Sequence, residues 1–160
     1  MTTTTTYRLD LPRWDTAWEV KTRRGVPVLD KRARKPVRVR KVWDVLTGNA
    51  RIGHWSQRHA AVKEVIEAVA WTAKAARVPA GSHLSVRLVW APGDNRRADP
   101  DLLDPLRKVC IDALARGPRK DLPGLHLVPD DGAEWVTRQP SRIDRPPAPP
   151  GLWLELEVRA

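Results

Sequence analysis

The chain has 160 residues, 41% of them hydrophobic and 30% charged, which suits a single core and a single domain spanning 1–160. Lys and Arg outnumber Asp and Glu by 29 to 19; a formal charge of +10 points to a polyanionic partner, nucleic acid first and an anionic membrane second. No apolar run nears the roughly 20 residues of a membrane span, and one cysteine, Cys110, excludes an internal disulfide and any multi-cysteine zinc site.

The threonine run at 1–6 lacks the basic start and apolar stretch of a signal peptide, so a cytoplasmic protein is expected, with that run disordered. A first strand is predicted over 7–12, where Tyr7, Leu9 and Leu11 alternate with Arg8 and Asp10. Residues 21–41 hold ten Lys or Arg against one acid, Asp30, nearly the whole net charge. Within them Val37 and Val39 alternate with Arg38 and Arg40, as on the two faces of a strand. This segment is either a solvated basic hairpin or an arm that tracks DNA phosphates. A helix is expected over 57–77, from Val62, Val65, Ile66, Val69 and Ala73 at helical spacing, ended by Pro79 and Gly81. Leu84, Val86, Leu88 and Trp90 then mark a strand, followed by a polar loop over 92–100 with Arg96 and Arg97. A second helix over about 103–115 takes Pro105 in its first turn, where a missing N–H costs nothing. A short strand is expected within 133–138, and a clear last strand alternates Leu152, Leu154, Leu156 and Val158 with Trp153, Glu155, Glu157 and Arg159. Intermixed strands and two main helices make the fold class α/β (α+β), a mixed sheet carrying helices.

The four histidines are scattered, so a bound metal would be held by carboxylate oxygens, which favours Mg2+, with Mn2+ as a substitute. Asp99-Pro100-Asp101 stands between a strand and a helix; in extended backbone the two carboxylates project to one side and can grip one cation. The same residues also suit helix capping. Asp101, Asp104, Lys108 and Asp112 fall on one face of the second helix, either a functional stripe or a solvated salt-bridge face. Asp130-Asp131 sits in Pro-Asp-Asp-Gly, which is also an ordinary turn. Acids clustered in a strongly basic chain call for a compensating cation, and a metal ion would also lower the pKa of a bound water and polarise a phosphodiester.

The succession of strand, Asp99-x-Asp101, helix with Lys108 and Asp112-Ala113-Leu114, then Val128-Pro129-Asp130-Asp131 resembles the RusA family of Holliday junction resolvases, over about residues 84–136. Asn49, Arg51, His54 and Trp55 look like that family's polar segment before the first long helix. The resemblance implies Asp99, Asp101 and Asp131 as metal-binding catalytic acids and Lys108 as the essential lysine. It implies Asp130 and Asp112 as supporting groups, and a homodimer that makes paired nicks in a four-way DNA junction. Arg38, Arg40, Arg51, Arg96, Arg97 and Lys108 are the expected DNA contacts. Three features depart from the family pattern: Leu102 follows the second acid where Asn is usual, Lys108 stands seven residues after Asp101, and the loop 116–124 and the basic N-terminal region are extended. The competing readings are a non-catalytic nucleic-acid-binding protein, such as a degenerate resolvase, and a basic adaptor for an acidic protein. Among the aromatics, Trp71 and Trp90 are expected in the core, and one of Trp14, Trp18 and Trp55 is a candidate to stack on an unpaired base.

Overall fold

The computed structural model describes residues 3–48 and 55–160. Its centre is a mixed sheet of order β1-β9-β6-β7, with β8 also on the outer edge of β6. Strand β9 (Gly151–Arg159) lies in the middle, antiparallel to β1 (Thr4–Leu11) and to β6 (His83–Ala91). Two short strands, β7 (Val136–Arg138) and β8 (Arg142–Ile143), run parallel to β6 along its other edge. The period-two pattern of the last strand sets its register: Leu152, Leu154, Leu156 and Val158 face the helices and are buried. The opposite face is largely open. There Trp153 is covered by the Arg8 guanidinium at 4.0 Å and joins Val89 and Ala91 in a small second cluster.

The first strand begins at Thr4, so the threonine run is not wholly disordered as expected; Thr4 to Thr6 are β-branched and continue the ladder to Arg159, Val158 and Glu157. Helix α2 (Trp55–Ala75) and helix α3 (Asp104–Ala115) cover one face of the sheet. A short helix α1 (Trp43–Leu46) packs beside α2. α2 buries Ala61, Val65, Ile66, Val69, Ala70 and Ala73. Trp71, expected in the core, is 74% exposed. At 100° per residue it falls about 170° from the centre of that buried stripe; its apolar neighbours in sequence, not its helical angle, had suggested burial. Trp14 shows the reverse. It is buried and its indole N–H donates to Glu64 Oε1 at 3.2 Å, so it is not available to stack on a base.

α3 is preceded by a 3-10 turn, Pro100–Leu103, and buries Leu106, Val109, Cys110, Ala113 and Leu114. Burial pushes the Cys110 thiol up to about 12, so it is an inert core group. After Gly117 the chain doubles back along the end of α3: the N–H groups of Leu125 and Leu127 donate to the carbonyls of Ala113 and Leu114. Gly124 is required there because a side chain would strike the backbone of Arg116 and Gly117.

Residues 18–40 leave the body as an arm. β2 (Trp18–Val20) pairs with β5 (Arg38–Arg40), and β3 (Thr22–Arg23) pairs with β4 (Val26–Pro27). The predicted basic hairpin is therefore ordered as strands. No helix among the described residues is long and apolar enough to cross a membrane.

Candidate carboxylate site and basic cleft

β6 delivers the chain to the loop that carries the first acid pair. Asp99 is extended (φ −96°, ψ 130°), as the following proline demands, and its side chain accepts the Asp101 N–H at 3.1 Å. The capping role is thus real. It uses one lone pair and leaves the remaining carboxylate oxygens of Asp99 outward. Asp101 is exposed, and no cation among the described residues pairs with either carboxylate. The loop is pinned from outside: Arg13 donates to the Pro92 carbonyl at 3.2 Å and Arg145 donates to the Arg96 carbonyl at 2.8 Å. Arg13 is itself held at 2.9 Å by Asp15, which is buried and also accepts the Trp90 indole N–H at 3.1 Å. Within the loop Arg96 grips Asp94, and this contact holds the exposed Asp94 carboxyl at about 2. Arg97 is exposed and pairs with no acid among the described residues.

The second group of acids lies at the other end of α3. Asp131 Oδ2 is 3.2 Å from Arg116 and 3.7 Å from Arg138. Asp112 is 3.6 Å from the same Arg116. Asp130 Oδ1 accepts the Asp131 N–H at 2.8 Å. Burial raises the pKa of Asp112, and the neighbouring Asp131 raises it further against the pull of Arg116 and Lys108. Burial also pushes Asp131 up, but Arg116 and the hydrogen bond at Asp130 outweigh it, and the net shift is downward. Asp112 Oδ1 is buried without a hydrogen-bond partner. Asp104, between the two groups, pairs with Arg107 at 3.0 Å.

The structure therefore brings Asp112, Asp130, Asp131 and Arg116 together at the tail of α3, with Lys108 one turn away. It keeps Asp99 and Asp101 at the head. Asp101 and Asp112 are eleven residues apart, about 16 Å along a helix axis. Among the described residues no three His, Cys, Asp or Glu side chains gather as a metal-holding group. The expected DNA contact Arg51, and Asn49 and His54 of the family-like polar segment, lie outside the described residues. Arg116, Arg138 and Asp15 were not singled out from the sequence; only Arg116 had a signal, its i,i+4 spacing from Asp112.

The head of α3 adjoins a cleft of about 700 Å³. Leu102 forms part of its wall, and the Gly48 N–H donates to the Leu102 carbonyl at 2.8 Å. The base of the arm lines it with Glu19, Lys21, Arg40 and Lys41, and Asp44 and Glu64 line it as well. Arg40 lies 5.2 Å over the half-exposed Trp18, while Arg38 is exposed. Lys41 pairs with Glu64 at 2.8 Å, which raises the lysine pKa and anchors the arm to α2. No family model matches the chain, and no curated protein is significantly similar to it.

Proposed function

We propose that this protein is a magnesium-dependent, structure-selective endodeoxyribonuclease that nicks branched DNA of the Holliday junction type, acting as a homodimer in recombination and repair. One observation carries the reading: the base of the basic arm and Leu102, the residue next to Asp101, line the same cleft. A polyanion drawn to the arm comes to lie beside two carboxylates that a DNA-binding surface would otherwise exclude. The residues at the head fit a hard cation. Asp99, extended, and Asp101, in the 3-10 turn that follows, both expose carboxylate oxygens, and no cation among the described residues pairs with them.

In this reading Asp99 and Asp101 would hold the magnesium, with Mn2+ as substitute; once bound it would supply a water of lowered pKa and positive charge for a scissile phosphate. Lys108 lies along the same helix and supplies charge to the phosphate. Arg38, Arg40, Arg96 and Arg97 bind the backbone on either side. Asp131 is the third ligand that the family resemblance implies, and to serve it must leave Arg116 for the cation. A two-fold dimer suits paired nicks on opposing strands.

The test is cleavage of a four-way junction beside a linear duplex of the same sequence, with magnesium and with chelator. The junction should be nicked only with magnesium, and Asp101→Asn should bind it without cutting. A variant that cuts at the wild-type rate, or a wild type that cuts nothing under any divalent metal, sinks the proposal. A second reading, a DNA-binding protein without chemistry, is favoured by the pairing of Asp131 with Arg116 instead of with the head of α3. It needs only the arm, and it predicts junction binding with no metal-dependent nicking.

A further inference from the structure

The arm is forked. At Lys21 its first strand changes partner. The Lys21 N–H donates to the Val37 carbonyl, the Val28 N–H donates to the Lys21 carbonyl, and the Val37 N–H donates to the Val28 carbonyl, each at 2.8 Å. Three strands meet at this closed ring of bonds, and two hairpins diverge from it. The first prong closes on Arg24 (φ 52°) and Gly25 (φ 76°), both left-handed, the geometry of a tight type I′ turn. The second closes over 30–35, where Asp30 and Lys35 share a backbone bond of 2.8 Å and Leu29 bridges to Pro36.

The tips are cationic by construction. Arg23 and Arg24 lie on the first, and Lys31, Arg32, Arg34 and Lys35 on the second, all exposed. The one acid on the prongs, Asp30, is exposed; its carboxylate accepts the N–H groups of Ala33 at 2.7 Å and Arg32 at 2.9 Å, which lowers its pKa. It forms no ion pair with the cations at the tip among the described residues. The prongs also hold exposed apolar side chains. Of the six large hydrophobics exposed among the described residues, four (Trp18, Val20, Val26 and Leu29) belong to the arm, with Val26 64% and Leu29 47% exposed on the prongs themselves. Six cations on two tips against one acid, with apolar groups beside them, suit a rod of regularly spaced anions with an apolar groove floor.

We propose that the forked arm grips a DNA duplex flanking the branch, each prong taking phosphates and Val26 and Leu29 lying against base and sugar edges in the groove. This rests on the reading that the protein binds branched DNA, and it adds a second contact region beyond the cleft. A two-stranded ribbon fits the major groove, about 12 Å wide, without deforming the duplex. Phosphate contacts of this kind position the protein and carry no sequence preference.

The experiment is equilibrium binding of the full chain to four-way junctions in chelator across a salt series. One junction has long duplex arms and the other has arms trimmed below one helical turn. The variants are R23Q/R24Q for the first prong and R32Q/R34Q for the second; glutamine keeps the Cβ and the backbone preferences of each site. On the long-armed junction each pair should reduce the slope of log affinity against log salt by about 0.9 per lost phosphate contact. On the trimmed junction wild type and variants should bind alike. V26S/L29S should weaken binding to the long-armed junction several-fold with the slope unchanged. If the wild type binds junctions and the charge variants keep its slope, or lose equally on both substrates, the duplex grip is wrong and the arm serves another partner, such as an acidic protein face. If the wild type binds no junction at all, the proposed function falls, and the duplex grip with it.

Discussion

At the head of α3, Asp99 and Asp101 are exposed, the Asp101 N–H donates to the Asp99 carboxylate, and no cation among the described residues pairs with either. At its tail, Asp112 and Asp131 are drawn in against Arg116 and Arg138. In sequence the two pairs look much alike, short polar acids in Pro-containing or helical settings. Their electrostatic situations are opposite. The tail has already found its counter-charge, at the cost of partly burying Asp112 beside another acid. The head has none among the described residues, and in a chain of charge +10 such an acid pair is the feature that asks for an added cation. The difference favours the head over the tail as the place for the proposed metal, and it can be broken at either end.

The largest effect is expected at the head. Asp101→Asn, measured as junction cleavage at saturating magnesium, should lose roughly two to three orders of magnitude, the size of a preorganised electrostatic contact to developing charge. Its thermal stability should match wild type, because no side-chain partner among the described residues is lost. Next comes the support of the head. Asp15→Ala strands Arg13 and the Trp90 indole N–H and should cost about 2–3 kcal/mol in denaturant unfolding, toward the low end for a broken buried pair because Arg13 is partly solvated. It should also loosen the Arg13 contact to Pro92 that pins the acidic loop. Asp15→Asn, which still accepts from the indole, should recover part of the loss. A variant as stable as wild type would show that the loop stands without this clamp.

These two ends explain what the sequence made legible. Strong periodicity in β1, α2, β6, α3 and β9 settled the sheet and its helices, because each pattern reports burial that the fold then satisfies. Trp71 was misjudged where a bulky apolar residue sits on the solvent side of an otherwise apolar helix. Trp14 escaped because its partner Glu64 is 50 residues away, and such pairings leave no local trace. The acids were legible as a set, from composition and from the resemblance to a family, but not in their grouping. Whether Asp131 faces Asp101 or Arg116 depends on the path of the 116–128 segment, which follows backbone bonds to the end of α3 that no spacing announces.

A smaller effect separates the two ends directly. Arg116→Ala removes one counter-charge of Asp131 and the neighbour of Asp112. Arg116 is partly exposed, so the cost to stability should be only about 0.5–1 kcal/mol. If Asp131 belongs to the metal site, freeing it should lower the magnesium concentration that gives half-maximal cleavage. An unchanged magnesium requirement removes Asp131 from the ligand set and leaves the tail a purely structural pairing.

The smallest effect is a pH dependence at Asp112. Its folded pKa is raised above the ordinary 3.8, by burial first and by Asp131 second. Between 3.8 and the raised value the folded chain binds more protons than the unfolded one, so this carboxyl makes stability fall as pH rises through that window, and the penalty persists at neutral pH. Asp131 works in the opposite sense: its lowered pKa contributes stability above 3.8 that is lost as pH falls through the folded value. Asp112→Asn keeps the shape, removes the charge facing Asp131, and should raise the melting temperature at neutral pH by a small margin. That margin should shrink toward acid pH, where the wild-type carboxyl is itself neutral. Melting curves of both proteins from about pH 3 to 7, a range set by the ordinary carboxylate pKa, decide it. A variant less stable than wild type at neutral pH would mean that the pull of Arg116 and Lys108 on Asp112 outweighs its burial, and that the tail is a favourable ion cluster.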